Sequence, residues 1–329
     1  MVVDPVRKAV VPAENIETIL GLLPSLKEAA DTDFLPLTNI DSTNVTPTDW
    51  SFLAKTLADE RDHYDAFVVT HGTNTLAYTA SALAFALGTG FGKPVIVTGS
   101  QMPLTVYGND ARFNFENAIL TAVVAAEKAI AEVMVVFDDS VLRGVRSIKV
   151  SESQFHAFAS PSFPPLADIR STGIQFIGNI QHPSSAPFTL KNTFDSGVLT
   201  IDLVPGMLPD MVDTILQSGR CRGLLLKSHG AGSVPTVKEY SFLPLITRCR
   251  DQYHIPVLVT TKFIGGSAYK NINDLPAIEA IEAGAISARD MTDVAAQVKL
   301  MWLLGQSITS IDDVARAIAS DVCGEITAA

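Results

Sequence analysis

Short, continuously apolar runs alternate with helix-length stretches in the first half of the chain, and this alternation restricts the fold more than any other feature. The runs cover residues 66–70, 94–98 and 133–137, and the helix-like stretches cover residues 75–87 and 111–128. Gly88 follows the first stretch, as expected for a C-terminal helix cap. Fully apolar strands separated by helices are typical of a mainly parallel sheet covered on both faces. The pattern therefore predicts an α/β fold.

A second α/β region follows a polar, proline-containing segment at residues 181–197, which is the best candidate for a linker. We expect a larger N-terminal domain at residues 1–190, with its sheet flanked by helices, and a smaller C-terminal α/β domain at residues 198–329. In the second domain the pattern predicts strands and helices at residues 197–204, 209–217, 223–227, 255–260 and 291–304, the last with Thr292 or Asp290 as its N-cap.

Composition and charge argue against several classes of function. The net charge of −11 repels phosphate backbones, so nucleic-acid binding is not expected. No apolar run reaches the roughly 18–20 residues that a membrane helix needs, and the first residues lack the apolar core of a signal peptide. The cysteines and histidines are scattered, so we expect reduced thiols and no metal site. These features predict a cytoplasmic protein with no membrane partner.

Polar residues follow two of the predicted strands, at the sheet edge where α/β proteins bind ligands. Thr73 and Asn74 lie between a strand and a helix N-terminus, where a hydroxyl could act as a nucleophile beside free N–H groups. The alternative, which the pattern alone favours, is that they only cap the helix. Ser100 and Gln101 end the next strand and should lie beside Thr73, although Gly-Ser-Gln is often only a turn.

Three further positions carry weaker signals. Asp41 and Ser42 precede a helix predicted to start at Pro47; their loop could hold a carboxylate or form a simple Asx turn. Lys149 is either solvated surface or, if buried near a nucleophile, a base with a lowered pKa. His71, next to Thr73, hints at a nucleophile–base pair, but neighbours in a turn rarely point together.

Taken together, several segments resemble the bacterial-type L-asparaginase family, most closely its cytosolic type I branch. The matching segments are His71-Gly72-Thr73-Asn74-Thr75, where the family has His-Gly-Thr-Asp-Thr, and residues 94–104, 143–161, 230–235, 290–300 and 324–327. The resemblance runs along the whole chain.

The resemblance implies hydrolysis of L-asparagine to L-aspartate and ammonia through a threonine acyl-enzyme, without a cofactor. Thr73 would be the family's second threonine and Lys149 its lysine, working with position 74 as a proton-handling group. Ser42, beside Asp41, would hold the α-carboxylate of the substrate, and the Ser100 region would line the amide pocket. The family forms homodimers or homotetramers in which a neighbouring subunit completes each site.

The chain departs from the family pattern in three ways. The nucleophile turn, Thr-Gly-Gly-Thr-Ile-Gly, does not occur in the sequence, so we expect either an internal start codon or a truncation, with a central strand missing and two strand edges exposed. Asn74 replaces a carboxylate, which should weaken substrate binding and lower the pKa of Lys149. The lid segment at residues 5–12 has no tyrosine.

These departures leave other functions open. One is a catalytically inactive, asparaginase-like binding or oligomer subunit, which the neutral Asn74 favours. Another is the related amidase subunit of a tRNA-dependent amidotransferase, which normally carries an extra N-terminal domain. A lysophospholipase activity, attributed to some type I relatives, has no motif of its own in this chain.

Overall fold

The computed structural model describes residues 2–4, 9–11, 29–268 and 274–327. The chain divides into two compact units, Met1–Asn192 and Thr193–Ala329, and the polar segment expected to be a linker spans the point of division. Both units are built from strands and helices, so the predicted α/β class, with the larger unit first, is confirmed. The expected lid segment lies largely outside the described residues, at residues 5–8 and 12.

The first unit contains three long helices and ten strands in its described part. They are β1 (Val2–Asp4), β2 (Ala9–Val11), α1 (Pro47–Asp59), β3 (Phe67–Thr70), α2 (Leu76–Leu87), β4 (Val95–Thr98), α3 (Ala111–Glu127), β5 (Val133–Phe137), β6 (Ser140–Arg143), β7 (Ile148–Lys149), β8 (Phe158–Ala159), β9 (Ala167–Arg170) and β10 (Gly173–Phe176). The two apolar runs that flank α2 and the run after α3 therefore form strands as predicted.

Six of these strands form one sheet in the order β10-β9-β6-β5-β4-β3. Strands β3, β4 and β5 run parallel, whereas β6, β9 and β10 extend the sheet with antiparallel pairs. The change of direction occurs because only Asp138 and Asp139 connect Phe137 to its partner Ser140. Two residues can join antiparallel strands, but a parallel pair needs a crossover helix. The sequence pattern did not indicate this antiparallel extension.

Strand β3 is the last strand of this sheet in the described part of the chain. Residues 31–40, which precede the first short helix, form no strand that could cover its free side.

Helix α2 is buried, and it directly follows the turn that contains Thr73 and Asn74. All its residues except Tyr78 are buried, as expected for a helix that is apolar on every side. Gly88 ends the helix with a φ of 56°, and its N–H donates to the Ala84 carbonyl, which confirms the predicted cap. On the α3 side of the sheet, Ile96, Met134 and Val136 pack into a separate apolar cluster.

The second unit is a four-stranded parallel sheet, in the order β11-β12-β13-β14, with helices. Its elements are β11 (Val198–Asp202), α4 (Pro209–Leu216), β12 (Gly223–Ser228), α5 (Leu243–Arg248), β13 (Val257–Thr261), α6 (Leu275–Ala283), β14 (Ile286–Ser287), α7 (Asp293–Gly305) and α8 (Ile311–Ala319). Thr292 caps α7 by accepting a hydrogen bond from the Ala295 N–H, so it is Thr292 that fills the predicted N-cap position. Helices α5, α6 and α8 and strand β14 were not predicted.

No helix in the described part of the chain combines the length and the apolar character needed to cross a membrane.

A buried ion pair fixes the C-terminal segment of the second unit. The Lys299 Nζ lies 2.5 Å from Glu325 Oε1, and both side chains are fully buried. The same amine donates to the carbonyls of Ile318 and Ser320, while the carboxylate accepts from the Cys323 N–H. Since each charge is hydrogen-bonded on several sides, removing one partner leaves the other buried without compensation.

We expect Lys299→Met to lower the free energy of unfolding of the second unit by about 3–5 kcal/mol, because it leaves the Glu325 carboxylate buried without its positive partner. The matched control is Lys55→Met, which breaks an exposed pair with Asp59 and should cost less than about 1 kcal/mol. Urea denaturation of both variants measures the difference. Equal losses in the two variants would contradict this role of the buried pair.

Candidate functional site

A tight turn between β3 and α2 forms the centre of the candidate site. It contains Gly72, Thr73 and Asn74, and it packs against two other loops at close range. A Cβ on Gly72 would lie 2.6 Å from Ser42 Oγ, and a Cβ on Gly99 would lie 2.3 Å from the His71 carbonyl oxygen. Both positions therefore require glycine, because real Cβ atoms do not approach other atoms so closely.

Lys149 reaches this turn from β7. Its Nζ donates hydrogen bonds to Thr73 Oγ1 at 2.8 Å and to Asn74 Oδ1 at 3.1 Å. The Thr73 hydroxyl in turn donates to Gln101 Oε1 at 3.3 Å. The structure thus brings together Thr73, Asn74 and Lys149, the three residues expected to handle protons, and it shows Lys149 half-buried and hydrogen-bonded to the turn.

The loop at residues 41–44 lies against the same turn. Asp41 accepts a hydrogen bond from the Thr43 N–H at 2.8 Å, which is the Asx turn considered from the sequence. Asn74 donates from Nδ2 to Thr43 Oγ1 at 3.1 Å, and Thr75 donates to the Ser42 carbonyl at 2.6 Å. Ser42 itself is only 4% exposed. It therefore packs beneath the turn and supports it.

The turn after β4 contributes Gln101, whose side chain contacts Thr73, while Ser100 lies one residue earlier and half-buried. Gln101 is held by three further contacts: its Nε2 donates to the carbonyls of Ser151 and Gln154, and its N–H donates to Asp110 Oδ2. Asp110 was not identified from the sequence as a residue that supports the site. Its position directly before α3 was the available signal, since acidic residues are common at helix starts.

The surroundings of Thr73 favour the neutral form of the Lys149 amine, compared with a lysine in water. Partial burial lowers the pKa of Lys149, and the negative charge of Glu152 opposes this shift. The neutral amide of Asn74 accepts from the amine but supplies no negative charge to hold the amine protonated. Asp41 is in the opposite situation, because the Thr43 N–H lowers the pKa of its carboxyl.

Asp138, Asp139 and His156 form a separate group of side chains whose ligand-type atoms all lie within 4.8 Å of one another. His156 Nδ1 is 3.2 Å from Asp138 Oδ2, and the His156 side chain is 59% exposed. Exposed carboxylate–imidazole pairs form on many protein surfaces without an ion, so this geometry by itself assigns no metal.

An amine with a lowered pKa in contact with a threonine hydroxyl is an arrangement typical of acyl transfer. The neutral amine can accept the hydroxyl proton, which increases the nucleophilicity of the oxygen or allows it to pass a proton onward. The fold and this side-chain arrangement therefore define an α/β protein of the amide- or ester-cleaving class, with the site at the carboxyl edge of a parallel sheet.

Comparisons with known proteins identify the family within that class. Residues 1–182 match the family described as "Asparaginase, N-terminal", and residues 197–318 match "Glutaminase/Asparaginase C-terminal domain". Together these matches cover nearly the whole chain. The protein belongs to the asparaginase family, as the motifs predicted.

Similar proteins span almost the full chain. L-asparaginase 1 of Escherichia coli K12 is 35% identical over 95% of this chain and 90% of its own. The thermostable L-asparaginase from Thermococcus kodakarensis superposes with a TM-score of 0.84 at 29% identity, covering 98% of this chain and 94% of its own. A glutamyl-tRNA(Gln) amidotransferase subunit of Methanobrevibacter smithii is 30% identical over 98% of this chain, but over only 73% of its own.

We expect Gly72→Ala to disturb the turn, because the added methyl group would overlap the buried Ser42 side chain. Such overpacking should lower the free energy of unfolding of the first unit by about 1–3 kcal/mol. Urea denaturation measures this loss. Gly90→Ala is the matched control, since its Cβ would make an ordinary 3.5 Å contact with Phe188; a loss as large in the control would rule out the specific clash.

Proposed function

We propose that the protein hydrolyses the side-chain amide of L-asparagine to give L-aspartate and ammonia. The observation that supports this function most strongly is the 2.8 Å contact between the Lys149 amine and the Thr73 hydroxyl. Full-length similarity to L-asparaginases of two organisms supports the same reaction. The reaction requires no cofactor.

Proton transfer in this proposal runs through Lys149 and Thr73. The neutral amine accepts a proton from the Thr73 hydroxyl, and a threonine oxygen attacks the amide carbon of the substrate. The C–N bond then breaks, and the nitrogen takes up a proton from this pair and leaves as ammonia. Water hydrolyses the resulting ester to the carboxylate and frees the threonine hydroxyl.

The attacking oxygen can be assigned in two ways. The resemblance gives this role to a threonine in the Thr-Gly-Gly-Thr-Ile-Gly turn, which the sequence lacks, with Thr73 passing the proton. The described geometry instead offers Thr73 itself, since its hydroxyl already contacts the amine. Thr73→Ser preserves both roles, whereas mass spectrometry of a trapped acyl adduct tests the second: a mass gain on the peptide that carries Thr73 supports it, and turnover without that gain would contradict it.

The substrate-binding roles belong to the same proposal. Ser42 packs against Gly72 in the turn that holds Thr73 and Asn74, and it is assigned to the α-carboxylate of asparagine, with Asp41 and Ser100 assigned as further substrate-binding residues. Because the Ser42 side chain is buried against Gly72, this role requires the substrate carboxylate to bind to backbone groups of the loop at residues 41–44.

Asn74 is the specific observation that favours a second candidate, an asparaginase-like subunit that binds without turnover. Its amide is already satisfied by Lys149 and Thr43, and it offers no carboxylate to a substrate ammonium group. The similarity to an amidotransferase subunit keeps an amidase-subunit role as a third candidate. Binding of asparagine without ammonia release would favour the second candidate.

We propose that the protein is a cytoplasmic homodimer or homotetramer that acts on a small-molecule substrate and has no nucleic-acid or membrane partner. All three cysteines are free thiols and buried, which suits a reducing compartment. The net charge of −11 disfavours binding to phosphate backbones. Size-exclusion chromatography with light scattering tests the assembly.

We expect the full chain to release ammonia from L-asparagine, and Lys149→Met to reduce kcat by about a hundredfold or more because it removes the base. The matched control, Lys128→Met, changes an exposed lysine at the end of α3 and should leave the rate unchanged. A coupled ammonia assay measures both variants. Full activity in Lys149→Met would refute the proposed role of the amine.

A carboxylate at position 74 should move the pH dependence of activity. Asn74→Asp puts a negative charge about where Asn74 Oδ1 now lies, 3.1 Å from the Lys149 amine, and so raises the pKa of Lys149. The active, neutral amine exists above that pKa. The rising limb of kcat against pH should therefore shift to higher pH by about one to three units.

The pH–rate profiles of the wild-type chain and Asn74→Asp measure this shift. Asn74→Ala provides the uncharged control and should leave the limb close to its wild-type position. A limb that stays in place or moves to lower pH in Asn74→Asp would show that Lys149 is not the group that titrates.

A further inference from the structure

The His71 ring connects the catalytic turn to two helices behind it, and the proposed chemistry does not use it. His71 Nδ1 lies 2.7 Å from the Gly72 carbonyl oxygen, and His71 Nε2 lies 2.9 Å from Thr79 Oγ1 on α2. Thr79 Oγ1 also accepts a hydrogen bond of 3.1 Å from the indole N–H of Trp50 on α1. Thr79 is 1% exposed, so this chain of contacts is shielded from solvent.

The direction of each hydrogen bond follows from the chemistry of the groups. An indole N–H only donates and a carbonyl oxygen only accepts, so Thr79 Oγ1 accepts from Trp50 and His71 Nδ1 carries a proton for Gly72. In a neutral imidazole, Nε2 is then unprotonated and accepts the Thr79 hydroxyl proton. Burial lowers the pKa of His71, although the Gly72 carbonyl favours its charged form, and the neutral Nδ1–H tautomer results.

This arrangement separates His71 from the reacting hydroxyl. Its two ring nitrogens are engaged by Gly72 and Thr79, so neither is left to accept a proton from Thr73. The backbone of His71 is fixed as well, because its N–H donates to the Thr98 carbonyl at 2.8 Å. The ring thus holds the Gly72 carbonyl in place, one residue before Thr73.

We propose that His71 is a positioning residue which, as the Nδ1–H tautomer anchored by Thr79 and Trp50, holds the turn so that the Thr73 hydroxyl meets the Lys149 amine. A displacement of about 1 Å at a reacting group can lower a rate by roughly a hundredfold. Loss of the Thr79 hydroxyl should therefore affect the rate although Thr79 lies on α2, outside the turn that carries Thr73.

The wild-type tautomer can be determined without any substrate. Nitrogen-15 spectra of the histidine-labelled full chain at neutral pH should show His71 protonated at Nδ1 and unprotonated at Nε2, assigned by loss of the signals in His71→Gln. A protonated Nε2, whether in the other neutral tautomer or in the imidazolium, would overturn the proposal.

The effect on the turn rests on the proposed function and is tested with Thr79→Val, which keeps the shape but removes the hydroxyl. We expect kcat for asparagine to fall by about tenfold to a hundredfold with little change in KM, and Thr79→Ser to restore most of it. An unchanged kcat in Thr79→Val, or an equal fall in Thr79→Ser, would overturn the positioning role.

Titration of the Lys149 amine by carbon-13 NMR separates failure of this inference from failure of the proposed function. If the wild-type chain releases no ammonia, the proposed function fails, yet the pKa of Lys149 in Thr79→Val should still move toward its value in the urea-unfolded chain. Thr79→Ser should retain the wild-type value. Should Thr79→Val not fold, Trp50→Phe removes the indole donor to Thr79 and should shift the Lys149 pKa in the same direction. No shift in the folded variant would overturn the inference.

Discussion

The contact between the Lys149 amine and the Thr73 hydroxyl is the interaction on which the rest of the site depends. It exists because β7 brings a lysine to the carboxyl end of β3, where α2 begins. A protonated lysine in water is a poor base, so the contact is chemically useful only because partial burial lowers the pKa of this amine. Asn74 also does not raise the pKa of Lys149, since it accepts a hydrogen bond from the amine without adding a negative charge.

Close packing of backbone holds that contact in place. Glycines at positions 72 and 99 let Ser42 and the His71 carbonyl approach to distances that no Cβ permits. A hydrogen bond to Thr43 in the loop at residues 41–44 then holds Asn74, and a hydrogen bond to Gln101 holds Thr73. The buried helix α2 supplies the rigid support, and His71 and Thr79 connect the turn to it. A site built on loops thus acquires the rigidity of the elements behind them.

Much of the fold was predictable from local patterns, and most of the site's contacts were not. Apolar runs predicted β3, β4 and β5 because buried parallel strands are apolar throughout, and Gly88 predicted the end of α2. The antiparallel turn at Asp138 depends on two residues with no strong turn signal. Family motifs selected Thr73 and Lys149, but their pairing across 76 residues arises only from tertiary folding. Gln101 was expected near Thr73, whereas the anchoring of His71 by Thr79 had no sequence signal beyond a polar residue in an apolar helix.

A double-mutant cycle on kcat/KM for L-asparagine tests most directly whether Thr73 and Lys149 act as one unit. The four proteins are the wild-type chain, Thr73→Val, Lys149→Met and the double variant. Residues that share one proton-transfer step are strongly non-additive, so the double variant should be no slower than the slower single variant. Losses that multiply, as they do for independent residues, would contradict the account.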